Sequence, residues 1–140
     1  MEEVYVKSRS EGFGEEVKRR IVLGNFVLSS GYFDAYYKKA KKLQALLRKE
    51  FRDAFTKCDV ILSPTTPDIA FKIGEKISDP VTMYLEDLFT VPASISGIPA
   101  LSLPYAIGEN GLPLGLQIMG KEESETVIYD AAKKIQRGIM

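Results

Sequence analysis

Ala100-Leu101-Ser102-Leu103-Pro104, then Glu109-Asn110-Gly111-Leu112-Pro113, then Leu114-Gly115-Leu116-Gln117-Ile118 is the stretch on which the fold turns. Leu101 and Leu103 alternate with Ser102, as Leu116 and Ile118 do with Gln117, and a period of two places the apolar side chains on one face of a strand. Asn110-Gly111 is a strong turn signal, so the two runs read as an antiparallel hairpin. Asp59-Val60-Ile61-Leu62-Ser63 is a further short buried strand, ended by Pro64-Thr65-Thr66-Pro67. Downstream, Ser124 and Glu125 start a helix that ends near Arg137, with Val127, Ile128, Ala131, Ala132 and Ile135 on its apolar side. Strands and helices together give an α/β class.

Upstream of the strands the pattern is helical. The first dozen residues are polar and carry no regular element, with Gly12 and Gly14 as breakers. A helix begins near Glu15, and its apolar members Val17, Ile21, Val22, Leu23, Phe26, Val27 and Leu28 cover most of its circumference. A helix apolar nearly all round is expected to be buried. Ser30-Gly31 breaks it. A second helix is expected from about Tyr32 to Phe55, with Ala40, Leu43, Leu47 and Phe51 marking one side. Its lysines, Lys38, Lys39, Lys41 and Lys42, read as a solvated face, with a tRNA-contacting patch as the alternative. Asp79-Pro80 looks like a helix entry with Asp79 as N-cap, opening a helix from Val81 to about Phe89. Pro92 and Gly97-Ile98-Pro99 bracket a shorter helical piece.

Length and composition bound the function. The 140 residues are one domain's worth, and 45% hydrophobic with 27% charged residues argues for a globular chain rather than a disordered one. Nineteen Lys and Arg balance nineteen Asp and Glu, so no global charge draws the chain to nucleic acid or to an anionic membrane. There is no histidine, which excludes Ser-His-Asp and Cys-His catalysis and imidazole zinc sites within these residues. The single cysteine, Cys58, cannot form an internal disulfide and reads as core or near-core filler. No apolar run reaches the ~18 residues of a membrane span, and the acidic start Met1-Glu2-Glu3 lacks a signal-peptide pattern. A cytoplasmic setting is expected, with no metal and no cofactor.

Two charged residues stand out. Arg20 falls about 160° round its helix from the wet position of Lys18, at 100° per residue. A guanidinium there keeps its charge and calls for an anionic or carbonyl partner, either the protein's own or a ligand's. Asp87, in Met83-Tyr84-Leu85-Glu86-Asp87-Leu88, borders the apolar face of its helix and is a candidate partner, whereas Glu86 lies farther towards solvent. Ser29-Ser30-Gly31 has no histidine to serve as base and reads as a helix end. Gly111-Leu112-Pro113-Leu114-Gly115 lacks the Lys-Ser/Thr of a phosphate loop and reads as a turn.

Several blocks, in order, resemble the amidase signature family: Gly14-Glu15-Glu16-Val17-Lys18-Arg19-Arg20-Ile21, Leu28-Ser29-Ser30-Gly31-Tyr32, Asp34-Ala35-Tyr36-Tyr37, Asp59 to Pro67, Asp79 to Asp87, Gly97 to Pro104 and Gly111 to Gly120. Within the family the likeness is to its glutamine-dependent, tRNA-linked amidotransferase branch. The resemblance implies that residues 1–140 are a single domain or a fragment, the C-terminal portion of a large mixed sheet flanked by helices. That family's catalytic set is a lysine, a serine in cis peptide geometry and a serine nucleophile. No Gly-Gly-Ser-Ser stretch occurs here, so the chain is expected to be inactive alone.

By the same resemblance, Arg20 binds the α-carboxylate of substrate glutamine and Asp87 its α-amino group. The complete subunit hydrolyses glutamine through an acyl-enzyme. The ammonia passes to a partner subunit, which holds ATP and tRNA and amidates glutamyl-tRNA, a carbon-nitrogen ligase reaction. Other amidotransferase subunits are thus the implied partners, and self-association is the expected fate of the fragment's exposed apolar surface. The alternatives are a fragment of a stand-alone amidase and a non-catalytic interaction module on the same scaffold.

Overall fold

The three short apolar runs do form strands. In a computed structural model that describes residues 2–75, 80–108 and 110–139, they are β1 (Val60–Pro64), β2 (Ala100–Ile107) and β3 (Pro113–Gly120). All pairings are antiparallel, and the order β1-β3-β2 puts β3 in the centre. Asn110-Gly111 turns the β2–β3 hairpin: Gly111 has a φ of 73°, and its N–H donates to the Gly108 carbonyl at 2.9 Å. A register shift between Pro104 and Ala106 bulges β2.

The chain divides into two compact units, residues 1–43 and 44–140. In the second, the period-two pattern separates the sheet into two faces. Leu101, Leu103, Leu62 and Ile118 lie on one face, and α6 (Glu125–Ile139) packs there. Ile118 is 0% exposed, and Leu103, Ile128 and Ala132 close round it, with Val60, Ala131 and Ile135 at the edge. Burying a side chain of that size contributes about 1.5–3 kcal/mol. Val127, expected on the apolar side of α6, is exposed instead. Glycine is required at 120, where an added Cβ would lie 2.9 Å from Ile128 Cγ1 and closer still to Ser124 Oγ. The opposite sheet face carries Ser63, Gln117 and Ser102 side by side in register.

The short helices α4 (Pro80–Leu85) and α5 (Val91–Ser96) lie between β1 and β2 in sequence. α4 is shorter than expected, and Asp79, its anticipated N-cap, lies outside the described residues. α5 ends at Gly97, whose φ of 71° is the left-handed C-cap conformation that favours glycine. From α3 (Lys38–Ala54), Gln44 Nε2 donates to the Ile95 carbonyl at 2.8 Å and Arg48 Nε to the Ser96 carbonyl at 2.8 Å, fixing the end of α5.

The first unit differs more from expectation. Residues Glu2–Gly12 form a helix, α1, where no element was expected. Glu2 and Glu3 in the first turn and Arg9 in the last complement the helix dipole, and Lys7 pairs with Glu3 at 3.3 Å. α2 (Glu15–Leu28) starts and stops as read, ending at Ser29, whose Oγ donates to the Phe26 carbonyl at 2.7 Å. Its expected burial is corrected: no residue of α2 is buried, and Val22 is 68% and Ile21 45% exposed. Within its unit the following aromatic turn packs against it, with the Phe26 and Tyr32 rings 4.1 Å apart. That turn, Phe33–Tyr37, is π-helical and precedes α3, so the long second helix begins with a wider coil than the α-helical period implies. No helix among the described residues is long and apolar enough to cross a membrane.

Candidate functional site

Asp87 sits on the turn between α4 and α5 and is half-buried. Its N–H donates to the Tyr84 carbonyl at 3.2 Å, which closes α4 two residues before Asp87 rather than two after. Its own carbonyl accepts from the N–H groups of Thr90 at 3.2 Å and Val91 at 3.0 Å, and from Thr90 Oγ1 at 3.3 Å. These bonds all use the Asp87 backbone. Glu86 is half-buried too, so the expected contrast between an inward Asp87 and a solvent-facing Glu86 is not seen.

The turn is tied to the sheet by a residue that sequence reading passed over. Gln117, 4% exposed on the central strand, donates from Nε2 to the Phe89 carbonyl at 2.8 Å and to Ser63 Oγ at 3.1 Å. Beside it, the Thr65 and Ser102 hydroxyls are hydrogen-bonded to each other at 2.8 Å. A Cβ on Gly115 would come within 2.7 Å of Thr65 Oγ1, so glycine makes room for that pair. Thr65, Thr90, Ser94, Ser102 and Gln117 line a cavity of about 390 Å3. Thr90 links it to Asp87. The signal available in the sequence was a polar residue at the centre of Leu116-Gln117-Ile118. Alternation marks it as facing away from the leucines, but not as facing a buried carbonyl. Replacing it, Gln117→Leu, leaves the Phe89 carbonyl without this donor, at a cost of about 1–3 kcal/mol. The expected result is a lower midpoint in chemical denaturation and faster amide exchange at Thr90 and Val91, with exchange in α6 little changed.

Arg20 lies on α2, in the first unit. Its Nε donates to Glu16 Oε1 at 2.9 Å, while Glu16 Oε2 accepts from Arg19 Nη1 at 2.8 Å. The carboxylate that the sequence demanded for Arg20 therefore includes one from its own helix, four residues back. The expected burial of Arg20 is corrected as well, since its side chain is 55% exposed. The reason is that of the whole helix: the layer that an all-round apolar pattern calls for is not supplied by the residues around it.

The remaining candidates are structural. Ser29 caps α2 as expected. Cys58 is exposed rather than near-core, because it precedes β1 instead of joining it, and its Sγ lies 3.5 Å from the Ala54 carbonyl. Lys38, Lys39, Lys41 and Lys42 are all exposed, and Lys38 pairs with Asp34 at 2.6 Å. On the exposed side of α3, the 2.8 Å hydrogen bond between Lys49 and Asp53 holds the carboxyl below the usual range and the ammonium above its own.

Comparison with known proteins gives one answer throughout. The model of the amidase family matches residues 1–128. The A subunit of glutamyl-tRNA(Gln) amidotransferase from Bacillus licheniformis is 56% identical over 135 residues, covering 96% of this chain and 28% of that protein. The Bacillus mycoides protein of the same name is 53% identical over the same coverage. The chain thus spans little more than a quarter of the length of these relatives. Among solved structures, the A subunit of the Thermotoga maritima glutamyl-tRNA(Gln) amidotransferase superposes with a TM-score of 0.64 at 44% identity, over 85% of this chain and 26% of that one. A crystal structure described as an amidase superposes with a TM-score of 0.72 at 25% identity, over 99% of this chain and 32% of that one.

Proposed function

The chain belongs to the amidase family, and from that premise we propose that it is the C-terminal portion of the glutamine-hydrolysing component of a tRNA-dependent amidotransferase. The observation that carries the reading is the 56% identity over 96% of the chain with a protein named as the A subunit of a glutamyl-tRNA(Gln) amidotransferase. The solved structure described only as an amidase is 25% identical.

In this reading the chain contributes recognition and leaves bond-breaking to segments outside it. Arg20 takes the α-carboxylate of glutamine, to which a planar guanidinium is matched by its fork of donors. Glu16, bonded at Nε, orients that guanidinium and supplies counter-charge. Asp87 takes the α-ammonium, and the backbone bonds around it together with Gln117 hold its turn on the sheet. The side-chain amide then lies towards the serine nucleophile, which the remainder of the amidase domain provides. The ammonia released goes to a partner subunit that holds ATP and glutamyl-tRNA in the cytoplasm. The exposed apolar residues of α2, Ile21, Val22, Leu23 and Phe26, fit a surface that packs against the rest of such a domain.

Amide-donor selectivity is the direct test. A complete subunit containing this sequence is expected to hydrolyse glutamine at least 100-fold more efficiently than a small aliphatic amide of similar size without the amino-acid head. A preference for the small amide, measured as kcat/KM, would assign the chain to a stand-alone amidase instead.

A further inference from the structure

Gln117 has one side-chain atom still to be satisfied. The residue is 4% exposed, and its Nε2 donates to the Phe89 carbonyl at 2.8 Å and to Ser63 Oγ at 3.1 Å. A carbonyl oxygen only accepts, so the Phe89 contact fixes which end of the Gln117 amide is nitrogen and which is oxygen. The oxygen, Oε1, has no hydrogen-bond partner among the described residues. It is not sealed inside the protein either: among the described residues, the unpartnered side-chain atom without accessible surface is Ser96 Oγ. The space that Gln117 borders is the cavity of about 390 Å3 on the sheet face opposite α6. An acceptor held on a residue this buried calls for a donor.

The hydroxyls of that cavity are already committed in a definite way. Thr90 Oγ1 donates to the Asp87 carbonyl and Ser94 Oγ to the Thr90 carbonyl, so both have used their hydrogen and keep lone pairs. Thr65 and Ser102 share one hydrogen at 2.8 Å, and whichever of them accepts still has its own hydrogen to give. The cavity thus presents acceptors at Gln117, Thr90 and Ser94 and a single hydroxyl donor. No charged side chain lines it among the described residues, so a full ammonium or carboxylate placed there goes uncompensated. A primary carboxamide matches this set, being neutral and planar with two N–H donors and one carbonyl acceptor. A single water takes up only about 30 Å3, whereas Ala93 and Ile98 offer an apolar wall for a short carbon chain.

We propose that this cavity holds the primary carboxamide of a small molecule, its NH2 group on Gln117 Oε1 and the Thr90 hydroxyl oxygen, its carbonyl on the Thr65 and Ser102 pair. The inference deepens the proposed function and rests on it only in taking glutamine as the natural source of the carboxamide. The test is an NMR titration of the 140-residue chain with propionamide. Saturable shifts are expected at the Gln117 side-chain amide and at the backbone amides of Thr90 and Ser102. N,N-dimethylpropionamide, which has no N–H, and propionate, which brings a charge and no donor, should each bind about ten-fold more weakly or worse. The double variant Thr65→Val/Ser102→Ala removes the hydroxyl donor and should weaken propionamide about three-fold or more. The comparison of ligands on the unaltered chain stands whether or not that variant folds. L-Glutamine that binds more tightly than propionamide, with the gain lost in Asp87→Ala, identifies the amino acid as the source. Glutamine no tighter than propionamide supports the carboxamide subsite and counts against the role given to Asp87. Absence of saturable shifts, or N,N-dimethylpropionamide binding as well as propionamide, would overturn the proposal and leave a water-filled cavity.

Discussion

Arg20→Ala and Asp87→Ala, placed in the complete subunit, are each expected to lower kcat/KM for glutamine about 100-fold or more while amidation with free ammonia stays within about two-fold. The asymmetry follows from what each substrate needs. Ammonia carries no carboxylate and no α-amino group, so it makes no demand on either residue. Glutamine needs both ends held before its side-chain amide can reach a nucleophile. A hydrogen bond to a charged group contributes about 1.5–3 kcal/mol, and each 1.36 kcal/mol is a factor of ten in rate. Losing one charged partner, and leaving the substrate's opposite charge uncompensated, therefore amounts to about two powers of ten. Arg20→Lys keeps the charge but loses the fork and should fall between wild type and alanine. Asp87→Ala retains the backbone bonds to Tyr84, Thr90 and Val91. Paired assays with glutamine and ammonium chloride as donors decide the matter. Equal loss with both donors would mean that the two residues support the fold rather than the substrate.

The chain by itself is expected to release no ammonia from glutamine above the buffer rate. Its sequence carries no histidine to activate a serine and no Gly/Ser-rich nucleophile segment, and Ser29 is engaged as a helix cap. Removing a nucleophile or its base costs a serine hydrolase on the order of 10⁶ in kcat, so the expected signal lies below detection. Joining the chain to the upstream segment of an amidase domain that holds the lysine and two serines should restore glutaminase activity. The same fusion with the nucleophilic serine changed to alanine should not. Ammonia release from the chain alone, surviving repurification, would show that a nucleophile within these residues had been missed.

The hairpin was legible because its determinants are local. Leu101, Leu103, Leu116 and Ile118 alternate with polar residues, and Asn110-Gly111 accepts the turn, so register and face follow from neighbours a few positions apart. α6 was legible for the same reason, its stripe repeating every three or four residues. α1 was not: its stability comes from terminal charges and i,i+4 pairs, which leave no apolar periodicity to detect. Arg20 and Asp87 entered as candidates through charge beside apolar neighbours and through blocks of sequence resembling a family, and those blocks, not the geometry, carried their roles.

What the sequence determined, then, were the properties that a residue shares with its near neighbours: the strands, the turn, the helix ends at Ser29 and Gly97, and the absence of a histidine-based site. Burial belonged to the tertiary structure. It exposed α2 and Cys58, which pattern alone had placed inside, and it stopped α4 short of Asp87. It also buried the Gln117 amide against a carbonyl 28 residues away and set the Ser96 carbonyl against an arginine 48 residues away. Solvent exclusion depends on which distant segments arrive to cover a surface, and no local pattern encodes that. A polar group's role as clamp, cap or ligand is set by the partner it meets once water is gone.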